Sequence, residues 1–189
     1  MVLMAGLVFA PPIVSLIVGG AIVTASSVLS AIPPDAFGPL ALLWQILHRI
    51  PAFLPAPPDT QVFVVYPILP WFGLMALGYG MGALFRSERR DRNLVALGLA
   101  MLSLFLALRL PNLYGDPRPW SPGEDLTRTL YSFFDVTKNP PSLSFALVTL
   151  GMVFVAAPGL ARLPKPIAGF FRTFGAVPLF AYIAHIAIM

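Results

Sequence analysis

The sequence has no cysteine and only two histidines. Disulfides, thiolate metal sites and a cysteine nucleophile are thereby excluded, and a zinc site would need an unusual ligand set. Charge is scarce, at 11% of residues against about 25% in soluble domains. Period-two alternation is missing, which argues against a β-barrel. No Lys or Arg precedes Arg49, so the positive n-region that opens a signal peptide or first anchor is not there. No GxSxG elbow, Walker loop, HExxH pair or EF-hand loop occurs, and neither internal repeats nor low-complexity tracts are evident.

What fills the chain is oil: 58% of its residues are hydrophobic and the mean hydropathy is +0.83. That composition belongs to an integral membrane protein, and 189 residues limit it to about five to six spans of about 20 residues. The expected fold is all-α, a multi-pass transmembrane helix bundle with an interfacial amphipathic helix and a polar outer loop region. The net charge of +4 does not indicate nucleic acid, because the basic residues fall between apolar runs where topology accounts for them. The lipid bilayer is the partner that composition names.

Taken in order, Met1 to Ala10 reads as the tail of a helix and Pro11-Pro12 as a tight turn into a span over 13–29. Across 36–50, Phe37, Leu40, Trp44 and Leu47 recur at three and four while Gln45, His48 and Arg49 share another side. This predicts an interfacial helix with His48 on its solvated polar face. Residues 51–60 form a proline-rich extended connector. A third segment runs over 62–85, with Gly73, Ala76, Gly80 and Ala83 on one face and Gly78 and Gly82 four apart, spacings that let a neighbouring helix approach closely. Further segments follow over 93–110, 142–157 and from Phe174. Seven Lys and Arg fall in the short loops 86–92 and 159–172, against five in the longer 30–61 and 109–140. The positive-inside rule then makes the first pair cytoplasmic and the second periplasmic or extracellular.

The stretch 109–142 holds four of the eight acidic and four of the twelve basic residues. Its backbone and charges cannot lie in hydrocarbon, so it forms a crown at a membrane face or lines a wet cavity. Within it, Arg109 either snorkels or pairs with Asp116. Lys138 precedes a helix start read as Asn139 cap and Pro140 first position, where a cation opposes the helix dipole. Either Asp135 offsets it, or an external anion binds Lys138 and the amides beyond Pro141. Tyr114 and Trp120 belong to an aromatic belt or form a sugar platform. His185 lies about 16 Å along the last segment at 1.5 Å per residue, a depth at which an ionisable group is either a packing imidazole or functional. The arginines of 86–92, Arg86 and Arg89 among them, fix topology or contact phosphates of a cytosolic cofactor.

Four ordered motifs carry a family likeness. They are Tyr66-Pro67-Ile68-Leu69-Pro70-Trp71 with Gly78-Tyr79-Gly80; Asn112-Leu113-Tyr114-Gly115-Asp116-Pro117; Thr137-Lys138-Asn139-Pro140-Pro141-Ser142-Leu143 with Thr149-Leu150-Gly151; and Gly175-Ala176-Val177-Pro178-Leu179 with Tyr182 and His185. Together they resemble the bacterial branch of the heparan-alpha-glucosaminide N-acetyltransferase catalytic-domain family. Asn139 departs from the pattern, since bacterial relatives usually show an aromatic there.

The resemblance implies a bundle in the bacterial inner membrane that takes an acetyl group from cytosolic acetyl-CoA and delivers it to an amine on a sugar across the membrane. No metal is implied. In lysosomal members a histidine in an early non-cytosolic loop is assigned the central catalytic part, and no position here matches that region. The chain therefore reads as one transmembrane domain, 1–189, equivalent to the carboxyl-terminal half of a larger acyltransferase-like domain and truncated at both ends. On this reading Tyr66, Trp71, Asn112, Tyr114 and Ser142 shape the pocket for a glycan or amino-sugar acceptor. Asp116 serves as base, Lys138 as oxyanion donor, and His185 supports the reacting end of the acyl donor. A homo-oligomer is compatible with the arrangement. The rival reading is a carrier or flippase for a glycan or lipid precursor, in which the same crown binds a headgroup and nothing is covalently altered.

Overall fold

A computed structural model describes residues 2–48, 52–56, 60–64 and 66–188. The helices are α1 (Val2–Leu7), α2 (Pro12–Ser30), α3 (Ala41–His48), α4 (Ile68–Gly80), α5 (Gly82–Phe85), α6 (Arg90–Arg109), α7 (Leu126–Phe134), α8 (Leu143–Ala161), α9 (Lys165–Ala176) and α10 (Pro178–Ile188). A 3-10 turn, Pro34–Leu40, leads into α3. The expectation of an all-α chain needs one amendment. Ala52–Ala56 and Thr60–Val64 pair as antiparallel strands, with Ala52 opposite Val64 and Ala56 opposite Thr60, so the described part of the proline-rich connector is extended and paired, and helix in the third segment begins at Ile68.

Three helices, α2, α6 and α8, are long and apolar enough to cross a membrane. Between α4 and α5, Met81 keeps right-handed helical angles (φ −75°, ψ −4°), so Ile68 to Phe85 rises about 27 Å. The chain is a membrane-embedded helical protein. The last segment is interrupted: α9 ends at Ala176 and α10 restarts at Pro178, whose ring cannot continue a helix. These two helices pack chiefly on each other.

The spans pair as α2 with α4 and α6 with α8. Small residues set both distances. A Cβ on Gly19 would lie 2.6 Å from the Gly73 carbonyl oxygen, and one on Gly98 would lie 2.8 Å from that of Gly151. Gly73, Ala76 and Gly80 are buried on the α2 side, as their spacing predicts, but Ala83, expected on the same face, is exposed. Gly78 and Gly82 are different: a Cβ on Gly78 meets nothing within 4 Å, and one on Gly82 reaches only an Arg86 guanidinium nitrogen at 4.0 Å. These two glycines open space between helices rather than closing it. At the crown end, Phe105, Phe133, Leu147 and Val148 form the buried core, flanked by Trp120, Leu143 and Met101.

Candidate functional site

The crown is built around two side chains that consume donors and acceptors in opposite ways. Asp116 accepts four hydrogen bonds. One carboxylate oxygen takes Thr137 N and Ser142 Oγ (2.7 Å each), and the other takes Thr137 Oγ1 (2.9 Å) and Arg118 N (3.0 Å). Arg109 donates four, all to carbonyls: Nε to Phe133 (3.1 Å), and the terminal nitrogens to Arg118 (2.7 Å), Ser132 (3.2 Å) and Asp135 (3.1 Å). It is 2% exposed. Among the described residues it has no carboxylate partner, so the expected pairing with Asp116 is corrected. Ser132 and Phe133 are in the last turn of α7, where a cation complements the unpaired carbonyls and the dipole. That cage supplies in bonds what the buried charge loses in hydration.

The other expectations for the crown change similarly. Ser142, not Asn139, caps α8: its Oγ accepts from Phe145 N at 3.0 Å while donating to Asp116. Both Pro140 and Pro141 lie in the turn before the helix, and the Asn139-Pro140 peptide is cis. Asp135 pairs with Arg118 (3.3 Å) rather than with Lys138. Lys138 is exposed and makes no bond among the described residues. Asn112 adopts a left-handed conformation (φ 51°) and clamps the Trp120 backbone in both directions, at 2.9 and 3.0 Å. Trp120 Nε1 donates to the Arg109 carbonyl at 2.8 Å, so this ring closes the end of α6. Tyr114 donates its hydroxyl to the Thr24 carbonyl of α2.

These bonds frame a cleft of about 280 Å³ between the ends of α2 and α6, with Ser27, Val28, Asn112, Leu113, Tyr114 and Asp116 in its wall. Ser27 Oγ is buried and has no partner.

His48 overturns its expectation most. It is 1% exposed, stacked on Trp44 with ring centroids 5.1 Å apart. Its Nε2 lies 3.2 Å from both Ser30 Oγ and the Ser26 carbonyl of α2. Nδ1 has no partner, so the ring is neutral with its proton on Nε2. Burial lowers its pKa below the usual 6.5, opposed by the Ser26 carbonyl. The periodicity of 36–50 could not show that the serine face of α2 covers this side. Arg49, assigned to the same face, lies outside the described residues.

At the opposite end, Asp91 takes Arg90 (3.0 Å) and Arg162 (3.4 Å), tying the two basic loops to one face. Arg86, Arg89 and Arg92 keep their guanidinium groups unbonded among the described residues. Arg89 and Arg92 line a recess of about 480 Å³ together with Phe85, Ser87, Glu88, Arg90 and Asp91. Phe85 also lines a second, almost wholly apolar slot of about 300 Å³ between α4–α5 and α8, whose walls include Trp71, Leu77, Gly78, Met81, Phe145 and Leu150. Trp71 Nε1 is buried without a partner, and Tyr66 meets the Trp71 ring edge-on at 5.7 Å.

The structure thus gathers Asn112, Tyr114, Asp116 and Ser142 at the crown. It places Trp71 in the slot and Arg89 in the recess, and leaves His185 exposed on α10 with no bond among the described residues. The imidazole expected to fix packing against a neighbouring helix does not do so. Among the described residues no group of three His, Asp or Glu gathers for a metal ion. Sequence reading missed α7, although Leu126, Leu130, Phe133 and Phe134 recur at helical spacing behind the Asp125 cap, which accepts from Arg128 N at 2.6 Å.

A family model described as "Heparan-alpha-glucosaminide N-acetyltransferase, catalytic" matches residues 1–110. The match takes in the first of the four motifs, and the other three lie beyond it. Comparison with curated proteins and with solved structures finds no match.

Proposed function

The chain belongs to the heparan-alpha-glucosaminide N-acetyltransferase catalytic family, and from that premise we propose that it serves acetyl transfer from acetyl-CoA to an amino sugar or glycan across a bacterial inner membrane. The observation that carries the reading is the shared wall at Phe85, which joins a basic recess to an apolar slot. From Phe85 to Trp71 the helix rises about 21 Å, most of a hydrocarbon core about 30 Å thick. A donor with phosphates at one end and a reactive thioester at the other fits this arrangement. Arg89 in the recess wall, joined by Arg86, which stands between the lining residues Phe85 and Ser87, meets the phosphates, and the extended arm follows the slot toward Trp71. The arginine end is then cytoplasmic and the crown periplasmic.

In the transfer, the acceptor nitrogen bonds to the acetyl carbon, the carbon–sulfur bond breaks, and the proton lost by the amine ends on the departing thiolate. Lys138, with no bond of its own, is our candidate for charge developing on the carbonyl oxygen. Asp116 has its lone pairs filled by four donors, and we assign it the ordering of the turn that carries Lys138. No contact ties His185 to either recess, and we give it no step.

Gly78→Leu tests the reading, because it adds bulk where the protein itself offers no clash and leucine is the better helix former. With labelled acetyl-CoA in membranes carrying the full chain, transfer to glycan should fall at least about tenfold while thermal stability is kept. Undiminished transfer would sink the donor path. Substrate movement with no acetyl requirement would favour the carrier.

A further inference from the structure

We infer that the acceptor is a lipid-borne amino sugar drawn from the membrane surface, not a freely dissolved one; the inference rests on the acyl-transfer reading and deepens it. The first observation is depth. Ser27 and Val28 from the last turn of α2, and Leu108 and Arg109 from the last turn of α6, form walls of the crown cleft. Both helices are of spanning length, so the cleft lies level with the span ends, at headgroup height.

The second observation is the distribution of polarity. Asn112, Tyr114, Arg109 and Asp116 line the cleft but spend their hydrogen bonds on the protein's own backbone and turns. Ser27 Oγ has no partner, and the protein covers it, so the cleft offers a ligand little free polar wall. A free sugar would therefore gain few hydrogen bonds there and has nothing else to hold it. The apolar part of the wall is open: Leu113 is 73% and Val28 56% exposed. These residues offer a hydrocarbon tail a path out of the cleft into lipid while the sugar stays within it.

The third observation is α7. Leu126, Leu130 and Phe134 leave an apolar stripe exposed on a helix whose other contacts are pinned by Arg109 and the Asp125 cap. Such a helix lies in the headgroup layer and brings the cleft mouth into the surface from which a glycolipid presents its sugar.

The test compares n-dodecyl glucosaminide with glucosamine, using equilibrium binding to the full chain in nanodiscs without acetyl-CoA. Because the alkyl probe partitions into any membrane, the decisive quantity is the change on mutation. Leu113→Asp should weaken dodecyl glucosaminide binding at least about tenfold and leave glucosamine binding unchanged. Leu113→Phe should keep the tight binding of dodecyl glucosaminide. Equal loss for both probes in Leu113→Asp, or no loss for either, overturns the inference. Binding that follows the expected pattern while labelled acetyl never reaches either probe would instead remove the acetyl-transfer reading and leave the lipid-borne ligand standing.

Discussion

The two polar ends of the bundle handle charge in contrasting ways. At the crown, Arg109 and Asp116 are saturated, the one by four carbonyls and the other by four donors. At the arginine end, one aspartate serves Arg90 and Arg162 while Arg86, Arg89 and Arg92 go unbonded among the described residues. Saturated charges are committed to shape, and unbonded ones are available to a ligand. The crown is thus a moulded cleft, and the far end presents guanidinium groups without partners among the described residues.

Breaking the crown should cost most. Arg109→Met strands four carbonyls, and the melting curve in detergent should report a loss above about 3 kcal/mol. Asp116→Asn presents an amide to donors that require acceptors; about 1–3 kcal/mol should be lost, with the turn that carries Lys138 loosened. At the other end, Arg86→Gln combined with Arg89→Gln should leave stability within about 0.5 kcal/mol while acetyl-CoA affinity, read by titration, falls at least about tenfold. A comparable stability loss from that pair would erase the distinction between the ends. Lys138→Ala should also spare stability yet abolish labelled acetyl transfer, and normal transfer would remove its assigned role.

The smallest effect sharpens the contrast through pH. Burial depresses the His48 pKa, so the unfolded chain binds more protons once pH falls below about 6.5. Stability from this group is complete above that value and declines as pH drops toward the folded-state pKa. His48→Gln, which keeps a donor for the Ser26 carbonyl, should flatten this part of the melting-temperature profile. An identical slope in both proteins would place the acid sensitivity elsewhere.

Much of this was legible because lipid-spanning helices advertise themselves by length and composition. The α2, α6 and α8 spans, the small face at Gly73, Ala76 and Gly80, and the polar stretch 109–142 were all readable from the chain. What escaped depends on neighbours remote in sequence. His48 looked solvated because periodicity sees one helix, whereas its cover comes from Ser26 and Ser30. Ser142 lost the cap position to Asn139 in the reading because two prolines after asparagine imitate a helix start. Gly78 and Gly82 shared the spacing of packing glycines, and only the partner helix distinguishes a contact from an opening. For α7 the signal was present, masked by the surrounding charge.

Only slight packing links the α2–α4 pair to the α6–α8 pair, yet polar stitches cross between them at one end, from Tyr114 to the Thr24 carbonyl and from Ser26 Oγ to the Pro141 carbonyl at 3.3 Å. The pairs are held at the other end too, where the short link 86–89 joins α5 to α6 and the Phe85 ring meets Phe154 edge-on at 6.1 Å. The groove between Phe85 and Trp71 is thus framed by two fixed rims, and whatever lies along it is enclosed without a hinge at either end.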